Sequence, residues 1–253
     1  MNGILDPREY ELMYKVEDKH WWYRGMASIT RALLSQWYCA SSRLRILDAG
    51  CGAGSAMSTF LAEYGQVTGI DIHPLALGYC RKRGLTRIAR ASALSLPFAS
   101  AQFDVVTSFD VLYEKAVEND LAALKEFARV LLPGGRVFLR LPAYDWLRGR
   151  HDEMAHTRKR YTTKQVARLL AESGLVIEHI SFANMFLFPI AVLKRWGEKL
   201  FPTGGGQSDL ELNAGIFNTL FEKILTSEAN LIAGTSLPFG LSVVAVGRKG
   251  QTA

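Results

Sequence analysis

The sequence predicts an α/β protein with a doubly wound, mostly parallel sheet, and three observations predict it. From residue 44 onward, short apolar runs of strand length alternate with amphipathic helical segments. The first of those strands enters a glycine-rich turn that opens a helix. Later segments carry helix start and stop signals, such as Thr162 before an apolar-periodic stretch and Gly174 after it.

Taken in order, residues 7–17 and 20–38 place Tyr10, Met13, Tyr14, Trp21, Trp22, Met26 and Ile29 at helical spacings, so two packed helices open the chain. Leu44–Asp48 is the first strand, Ala49–Gly54 the glycine turn, and a helix follows through Ala62. Gln66–Asp71 is a second strand, a helix follows Pro74, and a short strand lies near residues 87–91. Phe103–Ser108 is a buried strand, Val117–Leu131 a helix, and Gly135–Leu141 a strand after the turn Pro133-Gly134-Gly135. Thr162–Ser173 is a helix and Leu175–Phe182 a strand. Residues 184–240 depart from the alternation before a last strand at Leu241–Gly247. Three parts result: an N-terminal helical lid at 1–42, a central domain at 43–183 with 241–250, and a helical insertion at 184–240 capping the acceptor side. Pro202–Gly206 reads as a mobile loop.

The formal charge of +6 gives a mild attraction for anionic partners without choosing among phosphorylated substrates, nucleic acid and anionic lipid. No apolar run reaches the roughly 18 residues of a membrane span, and the first 22 residues are too polar for a secretory signal. A cytoplasmic location is expected. Cys39, Cys51 and Cys80 lack metal-ligand or disulfide spacing and read as reduced thiols.

A glycine turn between a strand and a helix lets backbone approach a ligand, and the helix start offers N–H groups to it. Asp71, 21 positions after Gly50 at the end of the second strand, is placed to accept hydrogen bonds from ribose hydroxyls. A dinucleotide-binding oxidoreductase shares both features but wants a third glycine where Ser55 stands. Ile46-Leu47-Asp48-Ala49-Gly50-Cys51-Gly52-Ala53-Gly54 instead resembles the first motif of the class I S-adenosylmethionine-dependent methyltransferases. Asp71, Leu96-Pro97-Phe98 with Phe103-Asp104-Val105-Val106, and Leu131-Leu132-Pro133-Gly134-Gly135 match that family's later landmarks in order, over residues 44–182.

The resemblance implies a Rossmann-like, seven-stranded sheet with an antiparallel last strand and S-adenosylmethionine as cofactor. It implies that Gly50, Cys51 and Gly52 face the methionine portion of the cofactor, with Asp48 and Gly54 of the same motif also cofactor-binding. Asp71 then faces the ribose, Ile72 the adenine face, Ser92-Ala93-Leu94 the adenine edge, and the Phe109 carbonyl the amino group. Two departures stand out: Ser92 replaces the usual acid, and Glu114 stands where many members carry a histidine, removing one base candidate. A leading helix covers the cofactor in relatives, which makes Tyr14, Trp22 and Arg24 lid candidates, plain helix packing being the alternative.

Transfer from a sulfonium needs a deprotonated acceptor, and the segment after the fifth strand is the place to seek a base. His156, His151 and Tyr161 are the catalytic candidates, with His156 first; loop residues bonded to backbone are the alternative for both histidines. The histidines stand five apart, not four, so they do not share a helix face as zinc ligands, and no metal is expected. Arg158-Lys159-Arg160 is either a solvated charge run or an anion site. The insertion opens with Met185–Trp196, apolar then basic, which is core packing, an acceptor pocket or an interfacial contact. Residues 209–233 carry helical periodicity through Leu212, Ile216, Leu220, Ile224 and Leu231.

The expected function is methyl transfer to a small-molecule or lipid-like acceptor, anionic in one reading, through an oxygen or nitrogen nucleophile, with a peripheral membrane contact as an additional partner. The alternatives are an NAD-type oxidoreductase and a non-catalytic S-adenosylmethionine-binding module. No RNA-binding module or base-methylation motif is recognisable, so a nucleic-acid partner is not expected.

Overall fold

The computed structural model describes residues 7–149, 152, 156–200 and 216–251. Its strands are β1 (Leu44–Ala49), β2 (Gly65–Asp71), β3 (Ile88–Arg90), β4 (Phe103–Phe109), β5 (Leu131–Pro142), β6 (Leu175–Ala183) and β7 (Ser242–Lys249). They form one sheet in the order β3-β2-β1-β4-β5-β7-β6. β1 to β5 pair parallel, and β7 runs antiparallel between β5 and β6. β1, β4 and β7 bury nearly every position, as strands covered on both faces must.

The helices are α1 (Pro7–Val16), α2 (Trp21–Leu34), α3 (Ser55–Ser58), α4 (Pro74–Lys82), α5 (Asp120–Val130), α6 (Thr163–Glu172), α7 (Phe188–Leu200) and α8 (Ile216–Gly234). Their boundaries follow local chemistry. The Asn119 side chain accepts the Ala122 N–H at 3.0 Å ahead of α5. Thr162 and Gln165 form a reciprocal capping box ahead of α6. The helix expected through Ala62 is a single turn instead. The Ser58 and Thr59 hydroxyls bond back to the Gly54 and Ser55 carbonyls, which competes with helix continuation, and a 3-10 turn at Leu61–Glu63 follows.

From β1 the chain winds outward through β2 to β3, and from β4 it winds the other way to β5. Right-handed crossovers in opposite directions put their helices on opposite faces and leave a crevice between the carboxyl ends of β1 and β4. α2 and α8 lie outside this alternation and pack on each other: Trp21 and Phe221 meet edge to face at 5.5 Å, and the Trp21 N–H donates to Asn218 Oδ1 at 2.9 Å. Residues 202–206 and the start of the helix expected from residue 209 lie outside the described residues. Among the described residues no helix is long and apolar enough to cross a membrane.

Candidate active site

At the end of β1 the chain turns through Gly50 at φ +88° and Gly52 at φ +53°. A side chain at Gly50 would put its Cβ 2.2 Å from Val111 Cγ2, so glycine alone lets this turn pass under the loop after β4. The Gly50 and Cys51 N–H groups donate to the Ile70 carbonyl at 2.8 and 2.9 Å. The Gly52 N–H donates to Asp71 Oδ2 at 3.1 Å, and the His73 N–H to Asp71 Oδ1 at 2.8 Å. Turn and acid are thereby locked together, and a carboxylate oxygen retains lone pairs for further donors. Burial raises the Asp71 carboxyl from its ordinary value, against the pull of those backbone donors. Asp48, buried beneath the turn, accepts from the Thr107 hydroxyl at 2.7 Å and is pushed up by burial to about 6.

A cavity of about 940 Å³ lies against this turn in the crevice between β1 and β4. Asp48, Gly50, Cys51, Gly52, Asp71, Ile72, Ser92, Ala93 and Phe109, together with Trp22 and Arg24, line it. Three of the residues expected there do not. Gly54, at φ +88°, turns the chain into α3, and a side chain on it would meet Leu85 and Cys80. Leu94 packs against the core while its N–H donates to the Ser92 hydroxyl at 3.1 Å. Tyr14 stacks on Tyr79 at 4.8 Å beneath the Arg83 guanidinium. α1 does approach the turn, but through the face bearing Tyr10, Met13 and Glu17: the Met13 sulfur stands 3.2 Å from where a Gly52 Cβ would sit. Tyr10, Met13 and Glu17 form one stripe by their spacing of three and four, and Tyr14, a residue on from Met13, flanks that stripe on the side facing Tyr79. Arg83 holds this arrangement, pairing with Glu17 at 2.8 Å and Asp18 at 2.7 Å while donating to the Ala53 carbonyl at 2.9 Å.

Arg24 forms an ion pair with Glu222 at 3.1 Å, tying α2 to α8. Arg140 enters the cavity between the Trp22 and Phe109 rings, 4.7 and 5.0 Å from their centroids, and pairs with Asp110 at 2.5 Å.

The segment expected to supply the base turns differently. His156 does not line the cavity; it sits in a turn at φ +48°, its carbonyl accepting the Lys115 N–H at 3.0 Å. His151 lies outside the described residues. Tyr161 is fully buried away from the cavity, its hydroxyl 2.9 Å from the Leu112 carbonyl and 3.0 Å from Asp120 Oδ2. Arg158 and Lys159 pair with Asp120, and Arg160 with Asp152 at 2.8 Å, so the basic triplet is neither a solvated run nor an anion site. Its charges answer two buried acids.

Glu114, which the sequence marks only as a departure from histidine, does face the cavity. Its N–H donates to the Val111 carbonyl at 3.0 Å, its backbone bridges to Thr157, and its side chain lines the cavity. Burial, with the nearby charges of Asp71 and Asp110, raises its carboxyl to about 8. The signal was present: an acid standing in a histidine position can take over a proton-accepting role. The cavity is also lined by Leu187, by Ile190, Ala191, Lys194 and Arg195 of α7, and by Phe217, Phe221 and Glu222 of α8, an apolar surface edged by charges.

Comparison with known proteins agrees with this geometry. Residues 47–139 match the family model described as a methyltransferase domain. A ubiquinone biosynthesis O-methyltransferase of Azoarcus sp. (strain BH72) is 32% identical over 156 residues, covering 54% of this chain and 64% of that protein. A relative named as a probable tRNA methyltransferase 9B, from Bos taurus, is 30% identical over 138 residues, covering 51% of this chain and 28% of that protein. The chain thus spans under two thirds of the length of either relative. The methyltransferase chain in a complex with the Haloferax volcanii Trm112 methyltransferase activator superposes with a TM-score of 0.62 at 19% identity, covering 98% of this chain and 95% of that one, a likeness of fold.

Proposed function

We propose that this S-adenosylmethionine-dependent methyltransferase, whose residues 47–139 match a methyltransferase domain, methylates an apolar small-molecule or lipid-like acceptor through an oxygen or nitrogen nucleophile. The observation that carries the reading is that one cavity is shared by the locked glycine turn with Asp71, the acid Glu114, and the apolar side chains Ile190, Ala191, Phe217 and Phe221 of α7 and α8. The residues fit the cofactor. Gly50 and Gly52 keep the turn free of side chains, Asp71 offers fixed acceptor oxygens beside it, and Ile72 and Ala93 supply apolar wall. The carboxylates of Asp48 and Asp71 make this end of the cavity favourable to positive charge. When bound, S-adenosylmethionine would supply a methyl group on a sulfonium, which an acceptor atom would take in line as S-adenosylhomocysteine leaves as a neutral thioether.

The chain's own contribution is to hold, to exclude water and to accept a proton. Tyr10 and Met13 of α1 with Trp22 of α2 close over the turn, which is the role proposed for the N-terminal helices as a lid. Arg140 is charge-matched by Asp110 and wedged between two rings, so it fixes Phe109 and Trp22. Glu114, as carboxylate, takes the proton of an acceptor hydroxyl or ammonium, and a carboxyl raised to about 8 is well matched to that task near neutral pH. The residues of the insertion, proposed as the acceptor cap, supply the apolar surface an acceptor would bury against.

The name of the Azoarcus relative, an O-methyltransferase of ubiquinone biosynthesis, supports an acceptor of this kind. The Bos taurus relative's name raises tRNA as an acceptor. Arg24, Arg31, Arg140 and Arg160 of the cavity lining are each paired with an acid, which leaves these four less suited to a phosphate-binding track. The test is methyl transfer from labelled cofactor to an organic extract of cells and to bulk tRNA in parallel. Label in the organic extract with a product heavier by one CH2 supports the proposal; label in tRNA alone overturns the acceptor class.

A further inference from the structure

The outer surface of the cap is inverted relative to an ordinary surface helix. Between residues 188 and 197, α7 exposes Pro189, Ile190, Leu193 and Trp196, with Lys194 as the exposed charge. Leu193 is 67% and Trp196 57% exposed, values at which a solvated helix normally carries polar residues. The patch continues on both sides. Phe188 of α7 contacts Trp146 at 6.1 Å and Phe239 at 5.3 Å, and both partners are exposed. α8 adds Phe217, 59% exposed, and Leu220. Ile190 and Phe217 are at once exposed and part of the cavity lining, so the apolar surface runs over the rim and into the cavity. Scattered surface leucines need no explanation, but a contiguous apolar rim around a cavity mouth marks an interaction surface.

Two features select the occupant. The patch carries tryptophans at Trp146 and Trp196, the side chain most suited to the boundary between headgroups and acyl chains. It is bordered by the exposed lysines Lys194 and Lys223 on a chain of net charge +6. Apolar bulk with basic flanks is complementary to an anionic bilayer and not to a second copy of the same basic surface.

We propose that the α7 and α8 end of the cavity docks on an anionic membrane surface, so that an acceptor dissolved in the bilayer enters the cavity over the Ile190 and Phe217 rim. The inference rests on the reading of the cavity as a site for an apolar acceptor, but vesicle binding is measured without acceptor or cofactor, so the two stand or fall separately. The experiment is co-sedimentation of the full chain with vesicles of phosphatidylcholine and phosphatidylglycerol, and with vesicles of phosphatidylcholine alone. The double variant Leu193→Ser, Trp196→Ser is compared, because neither side chain lines the cavity and both are exposed. The chain should partition onto the mixed vesicles, with added salt weakening it, and the double variant should lose about tenfold or more of that partition while keeping its unfolding temperature and S-adenosylhomocysteine affinity. Absence of partition, equal partition by the variant, or equal binding to both vesicle types overturns the proposal. So does a dimer in sedimentation velocity that the double variant abolishes, since a second copy would then cover the patch.

Discussion

The wall of the cavity formed by the glycine turn and the wall formed by α7 and α8 are held by different forces. The first is a backbone construction, in which two N–H groups meet one carbonyl and two more meet the two oxygens of Asp71, so its shape survives most side-chain changes that respect φ. The second is a side-chain construction, in which rings from helices far apart in sequence meet, as Trp21 does with Phe221 and Phe188 with Phe239. The first suits a cofactor that is always the same; the second can be repacked for a different acceptor without disturbing the sheet. Changes at the turn should therefore act on cofactor affinity, and changes near the α7 and α8 side on turnover and acceptor choice.

The largest effect belongs to Gly52→Val. Its φ of +53° is accessible to a branched side chain only with strain, and the new atoms would crowd Met13 and the space above the turn. S-adenosylhomocysteine binding should fall by more than about 100-fold in calorimetry, with cooperative unfolding retained at a cost of about 1–2 kcal/mol. Retained binding would detach the turn from the cofactor. Next is Glu114→Gln, which should lower turnover by about 10²-fold while leaving cofactor affinity nearly unchanged. The kcat/KM of the native chain should rise with pH through a limb near 8, and that limb should vanish in the variant. Because folding raises this carboxyl from 4.5 to about 8, the folded state binds more protons in that window, and Glu114 costs stability progressively as pH climbs through it. The Gln variant should lose less stability than the native chain between those limits. An unmoved rate profile would remove Glu114 from the chemistry.

Asp71→Ala should weaken cofactor binding by about 1–3 kcal/mol, through loss of the acceptor and loosening of the Gly52 N–H it holds. Tyr161→Phe should cost about 1–2 kcal/mol of stability in chemical denaturation, with turnover per folded molecule unchanged, since its hydroxyl meets Asp120 and Leu112 rather than the cavity. The smallest effect is expected at His156, which the sequence marks as the first base candidate. His156→Ala should change turnover less than about twofold, and a larger loss would show that the side chain reaches the acceptor after all.

The two walls also differ in how far they could be read from the sequence. β1, its glycine turn and Asp71 are legible because the geometry is local: strand, turn and acid lie within residues 44–71 and each has a short-range signature. The same holds for α6, whose capping box and closing glycine are adjacent to it. Tyr14 was misplaced against Tyr10 and Met13 because helical periodicity fixes a face but not the direction in which that face is turned. His156 and Tyr161 were drawn into the site by nearness in sequence to the sheet's carboxyl edge. The loop spends its polar groups on Asp120 and Asp152 instead, a long-range pairing that no spacing announces. At Glu114 the sequence shows only an absent histidine, since the environment of its carboxyl comes from Asp71 at the end of β2 and Asp110 after β4, on either side of β1.

The central claim is that the cavity against Gly50, Gly52 and Asp71 is an S-adenosylmethionine site, and titration calorimetry of the full chain with S-adenosylhomocysteine tests it most directly. One molecule should bind per chain with a dissociation constant in about the micromolar range, an affinity weakened in Asp71→Ala, and NAD and NADH should give no heat. Nicotinamide binding without S-adenosylhomocysteine binding, or equal affinity in the native and Asp71→Ala chains, would contradict it.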